Sequence, residues 1–301
     1  MAKIYHFSGA GNDFVVLDGR SEDLSAFRDA AEIGRLCREY RTDGLMILSE
    51  GAPGEDFTME FYNPDGSSGM MCGNGGRCIA AFAHLLGVQP GGHASCAAAV
   101  ASATGAYLFR AADGLHTAEI LSREGSRWVV RLGMKDVDGV TPMLGGYFLD
   151  TGTRHFVKFV PDVEAVDIAT EGPVLRHASE FAPAGTNVNF VQTLPDGAIK
   201  VRTFEKGVEG ETLACGTGIT ASALATAYAS APQHPADASA LHSVAAEADL
   251  PGSHSTADLH PADAAWHIPV QARRDELAVD FVRAGSASFR HVFLTGPAEL
   301  L

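Results

Sequence analysis

Apolar positions along the chain fall into short alternating runs broken by stretches at helical spacing, which predicts interleaved strands and helices. Near the N-terminus, Phe14-Val15-Val16-Leu17 reads as a strand after the turn Ser8-Gly9-Ala10-Gly11. Ile33, Leu36, Cys37 and Tyr40 then mark one helical face, so Cys37 is expected in the core as a small buried hydrophobe. Leu45 to Leu48 and the alternating Phe57, Met59 and Phe61 predict strands, the second leading into the turn Asn63-Pro64-Asp65-Gly66. Cys78, Ile79, Phe82, Ala83 and Leu86 predict a helix that Gly87 ends. Strands are expected again around Trp128 to Leu132, Phe156 to Val160, Val188 to Leu194, Ile199 to Phe204, Leu277 to Val282 and Val292 to Leu294. Ile219, Ala223, Leu224 and Ala227 predict one more helix.

Two stretches lack either period. Residues 229–265, dominated by Ala, His, Ser, Asp and Pro, read as a long mobile insertion; the spacing of His234, His242, His254 and His260 is too irregular for a metal site. A shorter insertion of the same flavour is expected from Val88 to Thr104 and carries Cys96, read as an incidental thiol.

With 301 residues, 46% of them hydrophobic, the chain is long enough for two domains with cores of their own. Its net charge of -15 is spread along the sequence with no basic cluster, which argues against nucleic-acid binding. The start has no signal-peptide pattern and no apolar run nears the ~18 residues that span a bilayer, so neither membrane association nor export from the cytoplasm is expected. Five cysteines, an odd number without CxxC or zinc spacing, fit reduced thiols better than a disulfide framework.

The observation that points to chemistry is a near-repeat. Met71-Cys72-Gly73-Asn74-Gly75 and Ala214-Cys215-Gly216-Thr217-Gly218 share the form Cys-Gly-(Asn/Thr)-Gly, and each opens a helix. A fainter echo relates Gly11-Asn12-Asp13-Phe14-Val15 to Asn187-Val188-Asn189-Phe190-Val191, and together they imply two halves of similar construction. A cysteine at a helix N-terminus lies beside unpaired N–H groups and the positive end of the dipole, so its thiol pKa is expected to fall toward the thiolate form. Glycines let the backbone approach a ligand, and the N–H groups suit a carboxylate. Two such termini meeting across a cleft would hold one carboxylate and place a thiol on each face of the adjoining carbon. One thiolate then removes a proton and the opposite thiol returns one. A redox pair is the rival reading of the two cysteines, but catalytic dithiols usually sit close in sequence.

These residues closely resemble the diaminopimelate epimerase family. The likeness runs through residues 7–14, 61–67, 71–78, 152–155, 187–190, 202–208 and 210–218. It implies an isomerase converting LL- to meso-diaminopimelate without pyridoxal phosphate, metal or other cofactor, with a small amino acid as its only ligand and a homodimer as its assembly. It also implies an α/β fold of two similar domains, each a curved mixed sheet wrapped around a central helix, with the active site in the interdomain cleft. The first domain would span 1–137 plus 291–301, and the second 138–290 with the insertion at 229–265. Carried over by position, Cys72 and Cys215 are the acid/base pair, and the N–H groups of Gly73, Asn74, Gly216 and Thr217 hold the carboxylate. Asn12, Asn63, Thr153, Asn187 and Lys206 line the substrate site, Glu205 meets the substrate ammonium, with a solvated carboxylate as the alternative, and His155 either orients the site or satisfies backbone near a turn. For the three asparagines a purely structural part in loop turns is an equal alternative at this point.

The chain departs from the family at the distal end of the substrate. Lys206 replaces an arginine that clamps a carboxylate, and a lysine lacks the bidentate fork. Thr153-Arg154 stands where the family has Asn or Ser followed by Pro, and Arg154 is expected to supply the missing guanidinium. A racemase of the same fold acting on histidine or a proline derivative, and an amino-acid-binding protein without catalysis, are the alternatives.

Overall fold

The computed structural model describes residues 2–69, 71–91, 105–230 and 264–301. Cys96 and the four histidines of the long insertion lie outside the described residues. The elements that flank that insertion reach slightly into it. Helix α4 (Gly216–Ala229) ends, and strand β14 (Ala264–Gln271) begins, inside the range 229–265.

The chain folds twice through the same path. In the first pass, strands β1 (Ile4–Gly9) and β2 (Asn12–Asp18) form a hairpin, and helix α1 (Ala30–Tyr40) crosses to β3 (Gly44–Glu50), parallel to β2. After β4 (Phe57–Tyr62), helix α2 (Gly73–Leu85) crosses to β5 (Ala106–Ala111), followed by the meander β6 (Gly114–Glu124) and β7 (Arg127–Gly133). In the second pass, β8 (Thr141–Met143) precedes the hairpin of β9 (Gly146–Asp150) and β10 (Arg154–Phe159), and α3 (Ile168–Arg176) crosses to the parallel β11 (Asn187–Thr193). Then come β12 (Ile199–Glu205), the short β13 (Gly210–Thr212), α4, and the meander β14, β15 (Glu276–Arg283) and β16 (Phe289–Leu300).

Strand β16 links the halves. Its first part pairs with β15, as Val279 with Leu294, whereas Gly296 to Glu299 pair with β7 and Leu300 pairs with Phe7 of β1. The first sheet therefore closes on itself through β16, and α2 runs down its middle. The second sheet curves around α4 in the same way. Both helices are buried on nearly every side, as expected of a helix inside a sheet. Around α2 the core is aromatic, with Phe7, Phe14, Phe57, Phe82, Phe109 and Trp128. Around α4 it is built from Val, Ile, Leu and Ala. Helices α1 and α3 cover the outer faces of the two sheets, the latter over Phe156, Phe181, Phe190 and Phe204.

This topology corrects one reading. The parallel pair β2–β3 matches β10–β11, so β2 corresponds to β10, and the echo between residues 11–15 and 187–191 joins strands that occupy different places in the repeat. The Cys-Gly-(Asn/Thr)-Gly segments do correspond, each opening the central helix of its half. Among the described residues no helix is long and apolar enough to cross a membrane.

Candidate active site

Cys72 and Cys215 occupy the N-cap positions of α2 and α4, both with extended backbone. The two helices meet tip to tip. A Cβ placed on Gly73 would lie 3.2 Å from Cα of Gly216, and one on Gly216 would lie 3.0 Å from Cα of Gly73, with Leu294 packed against both. Glycine is the residue that lets the termini approach this closely. The first N–H groups of each helix have no carbonyl one turn back to bond, so both sets converge on one spot beside two thiols.

The thiols are held differently. Cys72 keeps some exposure in the cleft, and its Sγ accepts from the Gly75 N–H at 3.2 Å. Cys215 is 8% exposed, and its Sγ lies 3.4 Å from the Thr217 hydroxyl. Their acidity corrects the expectation from the helix dipole. Burial raises both thiol pKa values, that of Cys215 to about 12, and the charge of Glu205 pushes both in the same direction. Enclosure in protein outweighs the helix ends, so a thiolate here needs a compensating positive charge.

Behind Cys215 lies a polar chain running across three strands. His155 on β10 is fully buried, and burial holds its imidazole far down, at about 3. Asn189 on β11 donates from Nδ2 to Phe156 O (3.2 Å) and to His155 Nδ1 (3.1 Å), while its Oδ1 accepts from Thr203 on β12 (2.9 Å). The amide orientation follows, since a carbonyl only accepts, and so Nδ1 is the unprotonated nitrogen. The proton therefore sits on Nε2, which lies 3.0 Å from Thr217 Oγ1 and 2.9 Å from Thr153 Oγ1. Thr153 also donates to Thr217 Oγ1 at 3.0 Å. Accepting from Thr153 and facing the Nε2 proton, Thr217 has its own proton free for Cys215 Sγ.

A neutral buried histidine carries a stability signature. Its folded pKa of about 3 lies below the unfolded 6.5, so the stability it confers is complete above pH 6.5 and is lost as pH falls toward 3. Between pH 6 and 4, urea unfolding of the wild type should lose about 1.4 kcal/mol per pH unit more than His155→Gln. Parallel pH slopes would contradict a buried neutral imidazole.

The α2 side is built from different groups. Asn74 is 2% exposed and donates from Nδ2 to Asn12 Oδ1 (2.5 Å) and to Ala214 O (3.0 Å), tying the two halves together. Asn12 in turn donates to Asp43 Oδ2 at 3.2 Å. Arg77, fully buried one turn below, donates to Asn74 Oδ1 (2.9 Å), Gly73 O (3.0 Å) and Pro297 O (3.2 Å). Gly11, at φ +96° in the β1–β2 turn, is packed against Leu213 and Arg274 of the other half. Sequence reasoning missed Arg77, Asn189 and Asp43 as site residues. The period-2 pattern on β11, with Asn187 and Asn189 both buried beside the apolar Val188, Phe190 and Val191, was the available signal for Asn189.

The remaining positions are more spread out. Glu205, at the end of β12, has its carboxyl pKa raised by burial and by the charge of Asp43 across the cleft, with the nearby Thr212 side chain working the other way. Asn187 donates to Arg154 O (3.1 Å) and accepts the Lys206 N–H (2.8 Å), while the Lys206 side chain is exposed. Asn63 donates to Ser67 Oγ at 3.0 Å within its own turn. Arg154 does not reach this region. Its guanidinium lies 5.1 Å over the Phe148 ring and donates to Phe181 O, on the α3 side of β10 and away from His155. Adjacent residues of a strand face opposite sides, so the residue next to His155 cannot share its cleft.

Comparison with known proteins places the chain. The diaminopimelate epimerase family model matches residues 4–97 and 147–246. Diaminopimelate epimerase of Chlorobaculum tepidum is 40% identical over 221 residues, covering 72% of this chain and 80% of that protein. The Aquifex aeolicus enzyme is 38% identical over 240 residues, covering 74% and 80%. Among solved structures, a Bacillus anthracis phenazine biosynthesis protein of the PhzF family superposes with TM-score 0.65 at 10% identity over 99% of this chain and 96% of that one. A hydroxyproline epimerase from Agrobacterium vitis superposes with TM-score 0.57 at 15% identity over 100% and 89%. The structural likenesses establish the shared α/β fold of two similar domains. Sequence, repeat and helix-tip geometry together show that the chain belongs to the diaminopimelate epimerase family.

Proposed function

We propose that the chain interconverts LL- and meso-diaminopimelate with Cys72 and Cys215 as its acid/base pair. The observation that carries this reading is the tip-to-tip approach of two cysteine-capped helices, with Gly73 and Gly216 in van der Waals contact.

The carboxylate of the reacting carbon fits the converging N–H groups of Gly73, Asn74, Gly216 and Thr217. Their partial positive charges, fixed in place before the substrate arrives, stabilise the negative charge that spreads from the α-carbon into the carboxylate in the transition state. The thiols then flank that carbon on opposite faces. One removes the α-proton as a thiolate, the other delivers its own proton from the far side, and the centre inverts. Glu205 is suited to the substrate ammonium. Pairing them offsets the negative charge that acts on both thiols. Thr153 and His155 act through Thr217, which they orient toward Cys215. At the distal end Asn12, Asn63 and Asn187 offer amides and Lys206 an exposed ammonium in place of a guanidinium fork. A lysine there binds the second carboxylate as a point charge, which weakens binding more than turnover.

Incubation of the reduced protein with LL-diaminopimelate, followed by chiral separation of the product, tests the assignment. The meso form should accumulate to equilibrium, and the double variant Cys72→Ala/Cys215→Ala should produce none. Turnover of hydroxyproline or proline with no turnover of diaminopimelate would move the assignment to another substrate on the same two-thiol site.

A further inference from the structure

The two helix tips are equivalent in fold but not in charge. Five residues after Cys72 stands Arg77; five after Cys215 stands Thr220. The two occupy matching places and satisfy matching carbonyls, since Arg77 Nη1 donates to Gly73 O and Thr220 Oγ1 to Gly216 O, each at 3.0 Å. A hydroxyl is enough for that bond. An arginine adds a unit charge at a position with 0% exposure, and a buried charge is costly unless an anion answers it. Among the described residues no carboxylate forms an ion pair with Arg77. Its three partners are a side-chain amide oxygen and two backbone carbonyls. Donation from Nε, Nη1 and Nη2 holds the guanidinium in its charged form even though burial works against it.

We propose that Arg77 is a positioning residue whose unpaired buried charge, standing behind the first turn of α2, makes Cys72 and not Cys215 the thiolate of the resting pair. The inference rests on the two-thiol reading and adds to it an order of ionisation. Three features of the site agree. The groups whose negative charge would favour the Arg77 cation are the Cys78 and Cys72 sulfurs, ahead of Asp275, which is already engaged by Arg127, and Cys78 stays protonated. The Cys72 sulfur accepts a backbone N–H at 3.2 Å, whereas the Cys215 sulfur meets a neutral hydroxyl at 3.4 Å, with the Gly218 N–H a weaker influence. At Cys215 the charge of Glu205 is the strongest influence after burial, whereas at Cys72 the Gly75 N–H outweighs it and Arg77 opposes it in part. The other titratable neighbour, His155, is neutral, and Cys78 is inert because burial holds its thiol protonated. An enzyme built this way meets its substrate with the base already assigned to one face.

The test is carboxamidomethylation by iodoacetamide across a pH series on the full-length, reduced protein, with the label at each cysteine followed by mass spectrometry. In the wild type the Cys72 midpoint should lie at least one pH unit below that of Cys215. Arg77→Met should raise the Cys72 midpoint by about one unit or more and leave that of Cys215 in place, and Arg77→Lys should keep the wild-type order. A purely structural arginine behaves otherwise. Loosening β16 at Pro297 exposes both sulfurs, which raises both labelling rates at every pH and moves neither midpoint. Coincident or reversed midpoints in the wild type overturn the proposal, and so does a Cys72 midpoint unmoved by Arg77→Met. If that variant does not fold, the wild-type order and Arg77→Lys still decide. Labelling needs no turnover, so an inactive protein with ordered midpoints would fault the substrate assignment and not the charge.

Discussion

Cys72→Ala and Cys215→Ala should each lower kcat for epimerisation by about 10²–10⁴-fold, the usual loss when one positioned acid or base is removed. The fold should survive, because each substitution removes a single sulfur at a helix N-cap, at the edge of its core, and leaves the apolar contacts of the central helix in place. The two losses differ in kind. Without Cys215 the intermediate cannot be protonated from the far face and is left waiting until the Cys72 thiol has exchanged its proton with solvent and returned one, so solvent exchange persists for one isomer while inversion stops. Without Cys72 the opposite isomer retains exchange. Proton NMR in heavy water, run with each isomer on each variant, reads this crossover. Equal residual exchange of both isomers in both variants would mean that the thiols do not act on separate faces.

A larger structural effect is expected at the helix tips. In Gly73→Ala the new methyl would lie 2.8 Å from Leu294 Cδ2 and 3.2 Å from Gly216 Cα, and backbone cannot yield as a side chain can. Overpacking of this sort costs about 1–3 kcal/mol. The greater consequence is geometric, since the tips must separate and the two thiols move with them. A displacement of about 1 Å at a reacting centre is enough for a 10²-fold loss of rate. Gly73→Ala and Gly216→Ala should therefore lose kcat by about 10²-fold or more with both thiols intact and still alkylatable, whereas Gly139→Ala, with open space around it and no left-handed backbone, should leave kcat unchanged. Wild-type kcat in Gly216→Ala would show that the close approach of the helices is incidental.

What the sequence reveals and what it hides divide along physical lines. The central helices were readable because Cys78, Ile79 and Phe82 or Ile219, Ala223 and Leu224 recur with their period, and the doubled cysteine motif marks where each begins. Helix α3 was not foreseen. Gly172 and Pro173 interrupt its pattern, and the helix exists because Asp167 caps it and Ile168 and Leu175 pack over Phe181 and Phe204. The short strands β8, β9 and β13 carry too few alternations to register. The thiol acidity was misjudged because a helix terminus is a local feature, while burial belongs to the folded whole. Arg77 lay in plain view inside the second cysteine-proximal turn, yet nothing in the sequence distinguishes a buried arginine from a solvated one. Arg154 is the opposite case. Strand alternation beside His155 already placed it on the outer face.

The central claim is that two thiols act from opposite faces of one carbon. Its most direct test is low-conversion epimerisation of LL-diaminopimelate in heavy water, with deuterium at the α-carbon measured separately in product and recovered substrate. The base thiol keeps the proton it removes, and the acid thiol has already exchanged with solvent. The account therefore predicts a product carrying solvent deuterium and a recovered substrate carrying none. Deuterium appearing equally in both would contradict it, because a single base serving both faces loses that distinction.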